Sequence, residues 1–286
     1  YGDSRINMRG FESSNIAVMI NGVPINDMEW GGVYWSNWAG LAEVTRSMQT
    51  QRGLGASKVS APSVGGTINI VTKSLDAKAG GSFAYGIGND GANQMTFTIS
   101  SGVTENGWAV TVLGGHKWGK GYIQGTEYNG WNYFVNVSKR IGANHQLSLT
   151  AFGAPQEHWQ RNKYDGLTIE GWQRMKQYMG DDKSPYLYNA TYGFDKNGQR
   201  RTSAFNKYHK PQISLNHQWQ INDHSSLSSV IYASIASGYG YGGDGTSEYS
   251  GSWYGSNNGV LNMQFRKADG TLDCGAIQEL NAASAT

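Results

Sequence analysis

Cysteine is almost absent. Cys274 is the only one in the chain, so no internal disulfide framework holds the fold together. Proline is scarce, with five residues, and charged residues make up only 15% of the sequence. With a net charge of +2 and no block of lysine and arginine, nothing in the chain points to nucleic acid, and none is expected as a partner. Long apolar runs are missing too. No stretch reaches the roughly 18 apolar residues of a membrane-spanning helix, and mean hydropathy is −0.53. That absence speaks only to helices. A strand that alternates apolar and polar residues hides a lipid-facing band inside a period of two, so its average hydropathy stays low.

Chemical signatures are equally sparse. The six histidines, at positions 116, 145, 158, 209, 217 and 224, show no zinc-type spacing, and one cysteine adds no cluster, so no metal ligands are nominated. Gly86-Ile87-Gly88-Asn89-Asp90-Gly91 spells a dinucleotide fingerprint, but that motif must open a helix. Here Met95-Thr96-Phe97-Thr98-Ile99 follows, which reads as a strand, so a hairpin turn is expected. Gly114 to Lys120 resembles the start of a phosphate loop, yet Gly121 stands where a metal-binding Ser or Thr belongs. No nucleophile and base are recognisable together. The expectation is a non-enzyme with no cofactor.

What the chain does have is glycine, 40 residues, aromatics at 12%, and alternation. Trp131, Tyr133, Val135 and Val137 alternate with Asn132, Phe134, Asn136 and Ser138. Ile213, Leu215, Trp219 and Ile221 alternate with Gln212, Ser214, Asn216, Gln218 and Gln220, and His217 falls on the apolar side as a blemish. Between Trp108 and Trp118 a strand would run roughly 33 Å, or roughly 25 Å at a tilt of about 40°, the height of the apolar band of a membrane barrel. Strands are predicted at about 80–88, 93–103, 107–118, 128–141, 145–154, 207–221 and 225–237. Short turns at 104–107, 142–144 and 222–224 alternate with long connections at about 118–127, 155–206 and 238–286. Outer-membrane barrels distribute their loops in this way, with short turns on one side and long ones on the other.

The first 75 residues differ in texture. Asn7-Met8-Arg9-Gly10-Phe11, then IAVMINGVP from Ile16 to Pro24, VTRSMQTQRG from Val44 to Gly53, and GGTINIVTK from Gly65 to Lys73 occur in that order. This succession resembles the plug domain of TonB-dependent outer-membrane receptors, and Tyr34-Trp35-Ser36-Asn37-Trp38 and Phe152-Gly153-Ala154-Pro155-Gln156 are similar to its Bacteroidetes branch. The resemblance implies an all-β-dominated chain. Residues 1–75 would be the C-terminal part of a small mixed α/β plug, and 76–286 would be about seven antiparallel strands of a large transmembrane barrel. Arg9, Gly10, Asn21, Gly22, Pro24, Arg52, Gly53, Gly65 and Gly66 carry the plug signature, with both arginines expected among buried polar groups. A TonB box is expected ahead of this sequence and more barrel strands after it. The implied partners are TonB, outer-membrane lipid, those remaining strands and a surface lipoprotein.

Ligand contact is expected at the outward plug loop, through Asp27, Glu29, Trp30, Tyr34, Trp35 and Trp38, and in the long connection, through Trp159, Tyr164, Trp172 and Tyr178. Aromatic faces with interspersed carboxylates suit a glycan, a peptide or a metal chelate alike. Helical spacing of Trp172, Met175, Lys176 and Met179, and the turn signal Asp195-Lys196-Asn197-Gly198, predict that this connection is folded, in which case its aromatics serve its own small core. A non-transporting surface binder, or a secreted carbohydrate-binding β-protein, is the alternative function.

Overall fold

The computed structural model describes residues 5–53, 63–161, 167–201, 204–241, 256–257, 260–261 and 263–284. Asn21 and Gly22 both take positive φ, 51° and 82°, as a tight hairpin requires. They fold β1 (Ile16–Ile20) back onto β2 (Val23–Pro24). Pro24, which has no N–H to donate, sits on that edge strand. A short helix α1 (Leu41–Val44) leads into β3 (Thr45–Arg52), and β4 (Gly66–Thr72) then inserts parallel to β1 and antiparallel to β3. The resulting order is β2-β1-β4-β3. Gly66 has φ 128° and passes so close to the Gln51 carbonyl that any Cβ would collide with it.

The second sheet begins with β5 (Gly80–Ile87), β6 (Asn93–Ser100), β7 (Trp108–Gly119), β8 (Tyr128–Ile141) and β9 (His145–Gly153), each antiparallel to the one before. The glycine-rich stretch at 86–91 ends β5 and turns to β6 through a single 3-10 turn at Asn89–Gly91, and β7 ends at Gly119, so neither sequence opens an α-helix. Beyond β9 lies β10 (Gln156–Trp159), then an outer body with α2 (Ile169–Arg174), α3 (Lys176–Met179) and the hairpin of β11 (Gly193–Phe194) and β12 (Arg200–Arg201). The chain returns through β13 (Phe205–His209), β14 (Gln212–Asn222), β15 (Ser225–Ser234) and β16 (Ser237–Tyr241). It closes with β17 (Ser256–Asn257), β18 (Val260–Leu261), β19 (Leu272–Asp273) and α4 (Cys274–Ala283).

One expectation is corrected here. The strand expected over 207–221 is two strands, because Lys210 and Pro211 interrupt it. Proline removes a ladder donor, so pairing stops and restarts. The break is shared: β9 stops at Gly153 ahead of Pro155, and Gln212 faces both Phe152 and Ser234 just below it. Above it β10 pairs with β13 and β13 with β16. The long connection is therefore shorter than expected, since 156–159 and 205–209 extend the wall.

Alternation decides the two faces of the wall. Phe83, Ile99, Val110, Leu149, Leu215 and Ile231 point outward, and they are exposed, Phe83 to 72% and Ile231 to 76%. Exposure of apolar surface on this scale, spread over six strands, fits lipid rather than water. Inward lie polar residues, several of them joined by hydrogen bonds. Asn136 donates to Ser148 and Thr150, and Ser138 donates to Asn136. Ser74, in the segment leading to β5, lies 2.8 Å from Ser138, so the two sheets meet through hydroxyls as well as apolar groups.

Candidate functional site

The core that joins the small sheet to the wall is built from Ile16, Val18, Ile20, Val33, Trp38, Ile68 and Ile70 on one side and Leu113, Phe134, Phe152 and Ala154 on the other. Leu113, Phe134 and Phe152 are large apolar residues on a mostly polar inner face, and Phe134 is fully buried. The Asn21-Gly22 turn adds a polar clamp. Asn21 donates to Thr72 Oγ1 and accepts from Thr72 N, Gly22 N donates to Asn69, and Asn216 of β14 donates to the Asn21 carbonyl. Two cavities flank this contact. One of about 680 Å³ has a polar lining that includes Gln49, Asn69, Asn216 and Gln218, and one of about 620 Å³ is lined by Trp35, Trp38, Met48, Lys117 and Asn132.

Above that core the small sheet projects a braced loop. Asn26 accepts from Val18 N and donates to the carbonyls of Ile16 and Gly31. Asp27 Oδ1 accepts from the amides of Glu29 and Trp30, and the backbones of Asp27 and Gly32 close the loop at 2.7 Å. These bonds leave Met28 at the tip, 98% exposed, with Glu29 beside it. The Trp30 and Tyr34 rings meet at 5.3 Å and 58° next to that tip.

Other residues expected at the site do different work. Trp38 is buried and stacks on Phe152 at 5.7 Å, and Trp35 packs against the same core, so these two anchor the loop to the wall. Trp159 lies against Phe205 at 4.8 Å with the Arg200 guanidinium 4.2 Å from its ring, which seals it beneath the outer body. Trp172 and Tyr178 pack around Met175, Met179, Tyr188, Ala190 and Leu261, the small core foreseen as the alternative. Tyr164 lies outside the described residues. Arg9 and Arg52 are exposed rather than buried, because one sits on a turn at φ 53° and the other ends β3 away from the seam with the wall. Gly10 and Gly53, beside them, have positive φ, 82° and 72°. Gly65 donates to the Asn15 carbonyl at 2.8 Å, which ties the start of β4 to that of β1.

The outer body knits two distant segments. Tyr188 donates its hydroxyl to the Gly270 carbonyl, Arg266 donates to the Ala190 carbonyl, and β19 runs parallel to β11. As expected, Asp195 makes the turn between β11 and β12, accepting from the amides of Asn197 and Gln199. Cys274 is buried in this body, and burial, with the Asp273 carboxylate next to it, pushes its thiol up to about 11. At neutral pH the thiolate should be roughly a hundredfold rarer than for a surface cysteine. Maleimide labelling should be correspondingly slow in the native protein and fast in denaturant. Equal rates in both would contradict the packing.

No family model matches the chain. Among curated proteins it is 24% identical over 163 residues to the vitamin B12 transporter BtuB of Vibrio vulnificus, covering 56% of this chain and 25% of the relative. It is also 30% identical over 114 residues to BtuB of Photobacterium profundum, covering 40% of this chain and 18% of the relative. The ferric-catecholate import receptor Fiu of E. coli, in its closed form, superposes with a TM-score of 0.60 at 16% identity, over 84% of this chain and 32% of that one. This is the fold of a TonB-dependent outer-membrane receptor. In those terms the small sheet is the plug and the meander is the opening part of the barrel wall. The ferric citrate transporter FecA superposes over 85% of this chain and 35% of its own, with a TM-score of 0.59 at 15% identity. The chain thus spans a quarter or less of these curated relatives and about a third of the solved structures. The sequence match and the fold agree on a protein of the bacterial outer membrane.

Proposed function

We propose that the chain is the plug (residues 1–75) and the first barrel portion (76–286) of a receptor for TonB-dependent uptake of a nutrient, a glycan, a peptide or a metal chelate. The observation that carries this reading is the division of labour in the plug loop. Trp35 and Trp38 fasten it to the wall, while Met28 and Glu29 are exposed at its tip with the Trp30 and Tyr34 rings packed together beside them. Chain entry from the plug makes the short-turn rim periplasmic and puts the outer body outside. Substrate meets the plug tip and the outer body, and no bond is made or broken. TonB, pulling on a segment ahead of this sequence, shifts the plug to a state of lower affinity, and the difference in affinity releases the cargo. Outer-membrane lipid and further barrel strands complete the assembly, and a surface lipoprotein is a further partner.

Uptake of labelled candidate nutrients by cells with and without TonB tests this. Transport should require TonB, and Trp30→Ala should weaken capture by about 10- to 100-fold, the usual weight of an aromatic anchor. Equal uptake without TonB would end the proposal.

A further inference from the structure

His217, the blemish on the apolar face of β14, has company. Its Nε2 lies 3.0 Å from Nδ1 of His145 on β9, and Trp219 stacks on His145 at 5.3 Å. On β8, Lys139 reaches over the Trp108 ring at 4.7 Å and donates to the Asn106 carbonyl. Register puts these groups in one patch: Lys139 faces Leu147, Leu147 faces His217, and His145 faces Trp219. Two strand spacings separate Lys139 from His217, about 10 Å between backbones. All of them lie on the outward face at the short-turn rim, bracketed by Trp108 and Trp219.

The chemistry of the patch is one-sided. Among the described residues, no carboxylate shares the outward face of β7, β8, β9, β14 or β15, and the nearest acids by sequence are Glu105 and Asp223 in the rim turns. An ammonium keeps two N–H groups after donating one to Asn106. Two neutral imidazoles hold two N–H groups between them, and whichever ring donates to the other, one N–H is left over. Donors lodged in an aromatic belt at the membrane interface fit an acceptor that carries negative charge and is attached to an acyl chain.

We propose that this patch binds the headgroup of an anionic phospholipid of the periplasmic leaflet, with Lys139 and the spare N–H of the histidine pair holding its phosphate. The leaflet assignment rests on the proposed function. The test uses the full-length receptor purified in detergent, with phosphatidylglycerol and phosphatidylcholine offered together and retained lipid counted by native mass spectrometry. Phosphatidylglycerol should be retained about fivefold in preference, the weight of one cation near a membrane surface. Lys139→Gln should bring the ratio close to one, and His217→Leu, which makes the strand alternation more regular and so leaves folding intact, should lower it. Equal retention by the unmodified protein, or a preference that survives both substitutions, overturns the proposal. So does displacement by inorganic phosphate at equal concentration, which would mark a site for free anions. A receptor that stays soluble without detergent would instead sink the membrane reading itself, a separate failure.

Discussion

Arginine in place of Val135 should cost about 2–4 kcal/mol of folding into lipid, the penalty for a cation near the middle of the lipid face of a barrel. Val135 is central in β8, pairs with Val112 and Ala151, and lies on the outward face. Arginine at Ser228 of β15, which faces inward beside the polar cavity, should cost far less, because its charge stays in water. Urea titration of the heat-modifiable band on gels, after refolding into vesicles, gives both numbers for the full-length receptor. If the two substitutions cost the same, the assignment of faces is wrong.

The second large effect is expected at Phe134. Its ring is fully buried between wall and plug, edge-on to Phe152 at 6.5 Å, and Phe152 in turn carries Trp38. Phe134→Ala should remove about 3–5 kcal/mol, from lost transfer energy and the cavity left behind. Because that ring joins two bodies, the loss should appear as loosening of the plug. Hydrogen exchange in β1 and β4 should accelerate while exchange in β7 and β9 stays slow. Uniform acceleration of both sheets would mean that the ring supports the wall itself.

Sequence alone showed a good part of this. Period-two alternation exposed the wall, since a strand's two faces are written in neighbouring residues. Asn21-Gly22 and Asp195-Lys196-Asn197-Gly198 announced their turns because turn chemistry is equally local. The rest depended on residues far apart in the chain. His145 and His217 are 72 positions apart, and only the pairing of β9 with β14 makes them neighbours. Spacing arguments for metal sites could not find such a pair. Phe134 and Phe152 did leave a signal, large apolar rings on a polar face, but the signal names a contact without naming what is contacted. Likewise Pro155 and Pro211 were visible, while their common level in the sheet follows only from register. At the candidate site the aromatic residues were legible as a class. Which of them are anchors was not, because burial depends on the wall that packs against them.

The meander has a final consequence. β5 pairs only with β6 and β15 only with β14, so the outer margin of each carries a row of amide and carbonyl groups with no strand beside it among the described residues. In hydrocarbon each such group costs several kcal/mol, and two rows of them would exceed the stability of an ordinary domain. These strands therefore cannot hold a place in lipid as an open ribbon. In lipid both margins have to be hydrogen-bonded to further strands, so the stability of this wall is set by partners outside it.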